Sequence, residues 1–211
     1  MGMRIKGFYS ICYLCVFVIP FTYGQPLNSD QFTTNNKTVI VDRTGVSNND
    51  DSPAAFGKRE FFSALTEAGL GFSVREELGN LSDALILVLG TSKDRVVNNL
   101  LEENSNILNA PAESVFYESV DVNNNNNRVL VIGGSDAKGV MYALNEMSEQ
   151  IKDKGFIALM NLESTFESPE NKVRGLDRFI KDENDDDWFF SEEFWQYYVQ
   201  QLAKNRFNRL T

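Results

Sequence analysis

Apolar positions along the chain fall into two rhythms. Short unbroken or β-branched runs predict strands at Lys37 to Asp42, Ala84 to Leu89 and Phe156 to Leu162. The run at 84–89 contains no polar residue and stops at Gly90, the pattern of a strand buried on both faces. Helical stripes lie between the strands. Phe61, Phe62, Leu65 and Ala68 predict a helix from Glu60 to Ala68, with Gly69 as its stop. Val96, Val97, Leu100 and Leu101 share one face of a second helix, capped at Thr91-Ser92. Val140, Leu144, Met147 and Ile151 form one of the two clearest helical signals. Ser135 or Asp136 caps that helix, Lys152 and Lys154 sit at its negative end, and Gly155 closes it. Ser114 to Val122 and Arg128 to Ile132 flank an asparagine run, Asn123 to Asn127, and predict a hairpin with a polar tip. Residues 43–57 hold Gly45, Pro53, Gly57 and Asn48 to Asp51, which is loop composition.

Strands interleaved with helices plus one hairpin give an α/β (α+β) class, a small mixed sheet with helices packed on it. Ser168-Pro169 marks a boundary. Beyond it, Asn171 to Thr211 reads as a strand, an acidic loop, an amphipathic helix from Ser191 and the opening of a second strand. Such a βαβ unit needs a parallel sheet to live in. The chain is therefore expected to be the front of a longer protein, with an accessory α/β domain at 37–167 and the start of a second domain at 168–211.

The amino terminus changes the picture of where the protein works. Arg4 and Lys6 precede an apolar run from Ile11 to Ile19, and Thr22-Tyr23-Gly24 ends in a small residue. This is the layout of a secretory signal peptide over 1–24, followed by a polar leader at 25–36. The expected location is secreted or periplasmic. The apolar run is well short of the ~20 residues that span a bilayer, so no membrane span is expected after cleavage. Cys12 and Cys15 lie inside the signal and leave with it, so neither a disulfide nor a thiol metal site is expected.

Composition narrows the chemistry. The chain has no histidine, which removes the usual general base and the commonest metal ligand from this segment. Its net charge is −10, and losing Arg4 and Lys6 makes it more acidic, so nucleic acid is excluded as a partner. Gly133-Gly134-Ser135-Asp136 before a helix resembles a phosphate-cradling turn, but it matches neither nucleotide fingerprint. A tight turn with a capped helix explains it. A nucleotide-binding α/β protein stays as a third, weaker option. Asp182 to Asp187 could attract a hard cation but lacks the calcium-loop spacing, so neither a metal nor a cofactor is expected. Trp188, Phe189, Phe190, Phe194, Trp195, Tyr197 and Tyr198 are dense aromatics. Those at helical spacing are expected to be core, whereas Trp188, in the loop, is the candidate for stacking on a sugar face.

Three segments in order carry a family resemblance. These are Val131 to Ile151 with its Gly-x-x-x-Gly-x-x-Tyr-Ala-Leu helix, Ser168 to Gly175 ending in Arg-Gly, and Phe190 to Leu210 with Leu-Ala-x-Asn-x-Phe-Asn. Over residues 37–211 the chain resembles the front half of secreted glycoside hydrolases of the β-N-acetylhexosaminidase and α-glucuronidase group. The resemblance implies a small α/β domain followed by the first βα unit of a (β/α)8 barrel. It implies a carbohydrate substrate, with Arg174 contacting sugar hydroxyls. Asp177 and Arg178 would join Arg174 near the loop-bearing mouth, and Trp188 would line it. Asp177 comes earlier after Arg174 than in the hexosaminidases, and an acidic run replaces their short loop, which points to a related family with another sugar specificity. The paired carboxylates of such enzymes lie on later barrel strands, so no catalytic residue is assigned here. The rival reading is a secreted carbohydrate-binding or interaction module without catalysis.

Overall fold

The computed structural model describes residues 37–79, 84–101, 105–121, 128–177 and 186–211. The signal and leader segments lie outside these residues. A six-stranded sheet organises residues 37–167, in the order β2-β1-β3-β5-β4-β6. Its strands are β1 (Lys37–Arg43), β2 (Phe72–Arg75), β3 (Ala84–Thr91), β4 (Val115–Asp121), β5 (Arg128–Gly134) and β6 (Thr165–Glu167). β1 pairs in parallel with β2 and β3, β3 pairs in parallel with β5, and β4 runs antiparallel to both β5 and β6. Period-two alternation sorts the side chains into two cores. Ile40, Leu85, Leu87, Leu89, Leu130 and Ile132 face helices α1 (Pro53–Glu67), α4 (Ala137–Lys154) and α5 (Phe156–Met160). Val39, Val41, Ile86, Val88, Val129, Val131 and Phe116 face α2 (Arg95–Leu100) and α3 (Ser105–Leu108). Layers on both faces explain why β3 carries no polar residue until its last position. Among the described residues no helix is long and apolar enough to cross a membrane.

The mixed α/β class, the buried strand at 84–89, the hairpin and the stripe along α4 match expectation. Three local readings need correction. Residues 53–57 are not loop: Ser52 caps α1 through the Ala55 N–H at 3.4 Å, and Pro53 fills the first position, where its missing N–H costs nothing. The cap of α2 is Asp94 rather than Thr91-Ser92, with Oδ1 accepting from Val96 N–H at 2.9 Å and Val97 N–H at 3.2 Å. Phe156 to Leu162 is not a strand. Gly155, at φ 61°, turns the chain into α5, where Ala158 and Leu159 are buried and Ile157 is exposed. Arg128 then donates to the Met160 and Leu162 carbonyls at the end of that helix. The short edge strands β2 and β6 escaped notice because their faces are largely exposed and carry little apolar pattern.

Gly57 serves a crossing, not a loop. A side-chain carbon there would lie 2.8 Å from the Met141 backbone, where α1 lies against α4. Gly139 is equally constrained, since a Cβ there would overlap the Ser114 carbonyl beneath the start of α4. Gly71 has open space around its Cα. The expected outcome in urea denaturation is that Gly139→Ala costs about 1–3 kcal/mol through overpacking, while Gly71→Ala stays within about 0.5 kcal/mol.

Candidate functional site

The terminal segment forms the βαβ unit expected for it. β7 (Gly175–Leu176) pairs in parallel with β8 (Arg209–Leu210), joined through α6 (Asp186–Phe189) and α7 (Glu192–Lys204). Ser191 caps α7 by accepting from the Phe194 N–H at 3.2 Å, and Glu192 and Glu193 face the positive end of its dipole. Trp188 lies within α6 rather than in a loop, 5.1 Å from Phe194, 5.8 Å from Trp195 and 5.9 Å from Phe189 between ring centroids. Phe194 stacks on Tyr198 at 5.4 Å, and the Trp195 indole N–H donates to the Phe189 carbonyl at 2.7 Å. The rings at helical spacing, Phe194, Trp195 and Tyr198, are half-buried, α7 has no fully buried residue, and Phe190 and Tyr197 are 77% and 64% exposed.

Charge pairing attaches this unit to the α/β domain. Glu113, in the turn before β4, accepts from three directions. Arg174 reaches it through Nη2, Lys138 on α4 through Nζ at 3.1 Å, and Asn208 through Nδ2 at 3.1 and 3.2 Å. Burial by itself would push the Glu113 carboxyl up, but the hydrogen bonds from Arg174, Lys138 and Asn208 prevail and hold it below the usual carboxylate range. Arg174 also sits 5.8 Å over the Tyr142 ring of α4. A second group lies alongside: Arg206 meets Glu146 of α4 and, at 2.7 Å, Glu167 of β6. Lys204 meets Glu60 of α1 at 2.6 Å.

Glu113 and Arg206 are also the two non-glycine residues with positive φ among those described, at 65° and 61°. Arg206 occupies the left-handed position that ends α7, with its N–H on the Ala203 carbonyl and that of Phe207 on the Leu202 carbonyl. Gly69 ends α1 with the same pair of bonds, and glycine is the usual residue there. Arginine at this position carries a backbone cost, and its reach to Glu146 and Glu167 offsets it.

The structure separates the candidate residues. Arg174 lies just before β7 and Asp177 just after it, so they occupy opposite ends of that strand. The Arg174 guanidinium donates to the Arg206 carbonyl at 2.7 Å, the Asn171 carbonyl at 2.8 Å and Glu113. Those bonds hold it half-buried against the α/β domain and the end of α7. Asp177 is exposed and accepts from the Thr211 hydroxyl. Arg178 lies outside the described residues, as does most of the Asp182 to Asp187 run. The turn at Gly133 to Gly139 is filled from within: Asp136 accepts from Gly139 N–H at 2.9 Å and Glu113 N–H at 3.1 Å, so a carboxylate stands where an anion would bind. The sequence reading missed Glu113, Lys138, Arg206 and Asn208. For Arg206 and Asn208 the signal was the basic, asparagine-containing segment 204–209 set against an acidic remainder; nothing in the sequence marks Glu113 or Lys138.

No protein-family model matches the sequence, and no curated protein does. Among solved structures the chain is similar to a GH138 enzyme targeting pectin rhamnogalacturonan II, with a TM-score of 0.51 and 17% identity, covering 82% of this chain and 23% of that one. The chain thus spans about a quarter of that enzyme's length. At this identity the likeness is one of fold alone, and it does not single out the hexosaminidase and glucuronidase group.

Both tryptophans of the chain, Trp188 and Trp195, belong to the terminal unit, so their fluorescence reports on its docking. Because Glu113 is held below its ordinary value, its contribution is complete above about pH 4.3 and is lost as pH falls through the lower folded value. An acid titration is expected to change tryptophan emission only below about pH 4.3, and Glu113→Gln should cost about 1.5–3 kcal/mol at neutral pH and blunt that transition. In urea melts read the same way, Arg206→Ala should be worse than Arg206→Gly by about 1 kcal/mol, because alanine loses the ion pairs and keeps the strain.

Proposed function

We propose that the chain is the N-terminal portion of a secreted hydrolase acting on a polysaccharide or other glycan. In this reading residues 37–167 form its accessory domain, and 168–211 open a (β/α)8 catalytic barrel. The observation that carries the proposal is the parallel β7–α7–β8 unit, seated directly after a mixed α/β domain. Strands of a parallel pair with a helical connection are the building unit of such barrels. The resemblance of three motifs in the same order supports it, as does the fold likeness to an enzyme that targets a pectic polysaccharide.

Asp177 and Trp188 remain the candidates for substrate contact in this proposal. Asp177 follows the carboxyl end of β7, where barrel loops meet the substrate. Trp188 belongs to an aromatic group with partly exposed rings, suited to stacking on a sugar's apolar face. Arg174 acts as a positioning residue through Glu113, and Arg178 keeps its proposed role from the resemblance alone. The catalytic carboxylate pair is assigned to later strands. The exposed aromatics at Phe190 and Tyr197 favour a second reading, a carbohydrate-binding module without catalysis.

The test compares the 211-residue chain with the product of its reading frame continued past Thr211, on nitrophenyl glycosides and pectic and xylan oligosaccharides. The expected result is no hydrolysis by the short chain and turnover of about 1 s⁻¹ or more by the longer one. A stop codon directly after Thr211, with sugar binding intact, would favour the module. Turnover by the short chain would overturn both.

A further inference from the structure

At the carboxyl edge of the six-stranded sheet lies a crevice of about 610 Å³, far in sequence from the terminal unit. It is lined by Asp42 and Arg43 at the end of β1, Gly45 to Ser47 just after it, Val74 to Glu76 at the end of β2, and Asp94 after β3. β1 is the strand flanked by β2 on one side and β3 on the other. The connections leaving β1 and β3 therefore diverge here, and such switch points are where open α/β sheets take ligands. The volume suits a small ligand of one to three rings.

The chemistry of the walls selects the ligand. Arg43 lies flat against Asp94, with Nε to Oδ1 at 3.3 Å and Nη2 to Oδ2 at 3.0 Å, and its Nη1 donates to the Glu76 carbonyl at 3.0 Å. This two-pronged pairing raises the Arg43 pKa, so the guanidinium stays charged. Asp42 accepts from the Thr44 N–H at 3.0 Å, the Thr44 hydroxyl at 2.6 Å and the buried Lys58 ammonium at 2.7 Å. In a nucleotide site the turn after the first strand offers free N–H groups to phosphate. Here a carboxylate takes that N–H and would repel an anion. Arg43 and Arg75 are balanced by Asp94 and Glu76, and Asp42 by Lys58, so the crevice carries no excess charge of either sign. Carboxylate and guanidinium groups held rigid side by side offer acceptors and donors to adjacent hydroxyls. Val46 and Val74, the latter 48% exposed, supply an apolar wall for ring C–H groups.

We propose that this crevice is a binding site for a neutral, hydroxyl-rich ligand of sugar type, separate from any site on the terminal unit. Asp94 and Arg43 form its rigid wall, and Arg75 and Glu76 form its exposed rim. The site stands on the crevice alone and not on the hydrolase reading. A non-catalytic sugar site on an accessory domain would hold a chain-like substrate near the molecule by raising its effective concentration.

The test is an amide-resolved NMR titration of the whole 211-residue chain with galactose, xylose, cellotriose and xylotriose, each to about 10 mM, and with inorganic phosphate in parallel. Shifts confined to 42–47, 74–76 and 94 are expected with at least one sugar, at a dissociation constant of about 1 mM, and none with phosphate. The double variant Arg75→Ala/Glu76→Ala keeps the Glu76 carbonyl that holds Arg43, and should weaken binding about tenfold while leaving the melting curve unchanged. Absence of shifts with all four sugars, equal shifts with phosphate, or sugar shifts that survive the double variant would overturn the proposal. Hydrolysis by the extended protein can succeed or fail independently of this titration.

Discussion

The carboxylate of Glu113 joins two parts of the chain that are far apart in sequence. It takes hydrogen bonds from Arg174 and Asn208 on the terminal unit and from Lys138 on α4. A largely buried carboxylate is costly unless its lone pairs are filled with donors of opposite charge, and once filled it is costly to break. Position therefore follows from pairing: β7 can start where it does only while Arg174 reaches Glu113. The Arg206 group repeats the device a short distance along α4. Both hubs sit in the left-handed backbone region, so local strain and long-range ion pairing coincide at the same two residues.

This arrangement alters how the family motif is understood. Arg-Gly at 174–175 was expected to face a ligand. In the folded chain the guanidinium is held among carbonyls, a carboxylate and the Tyr142 ring, and Gly175 passes close to the Arg209 side chain across the parallel pair. The pair of residues thus shapes the seam between β7 and β8. At the carboxyl ends of the strands the carboxylates are likewise engaged, Asp177 by the Thr211 hydroxyl, Asp42 by Thr44 and Lys58, and Asp94 by Arg43.

The α/β domain derives its rigidity from a different source. Its parallel strands bury alternate residues into two separate cores, and glycines at 57, 133, 134 and 139 let backbone meet backbone. That close packing leaves the carboxyl edge of the sheet as the place where side chains of both charges can gather without desolvating a core. The crevice and the Glu113 turn both lie along this edge, since β4 starts beside the end of β5.

Periodicity alone specified the mixed α/β class, the buried β3, the β4–β5 hairpin, the α4 stripe and the terminal strand–helix–strand order. These features depend on burial patterns repeated every two or 3.6 residues, which are local and survive in any single sequence. Helix starts at Ser52 and Asp94, the helical turn at 156–160 and the edge strands were decided by contacts: caps, the Arg128 bonds to α5, and pairing with a neighbour. Glu113 shows the limit most clearly. Nothing around Pro111-Ala-Glu-Ser marks it, because its role depends on partners 25, 61 and 95 residues away. Sequence by itself determined the central strands, the main helical stripes and where charge was plentiful. Tertiary structure decided which charges meet, because a hydrogen bond is set by distance in space and not by distance along the chain.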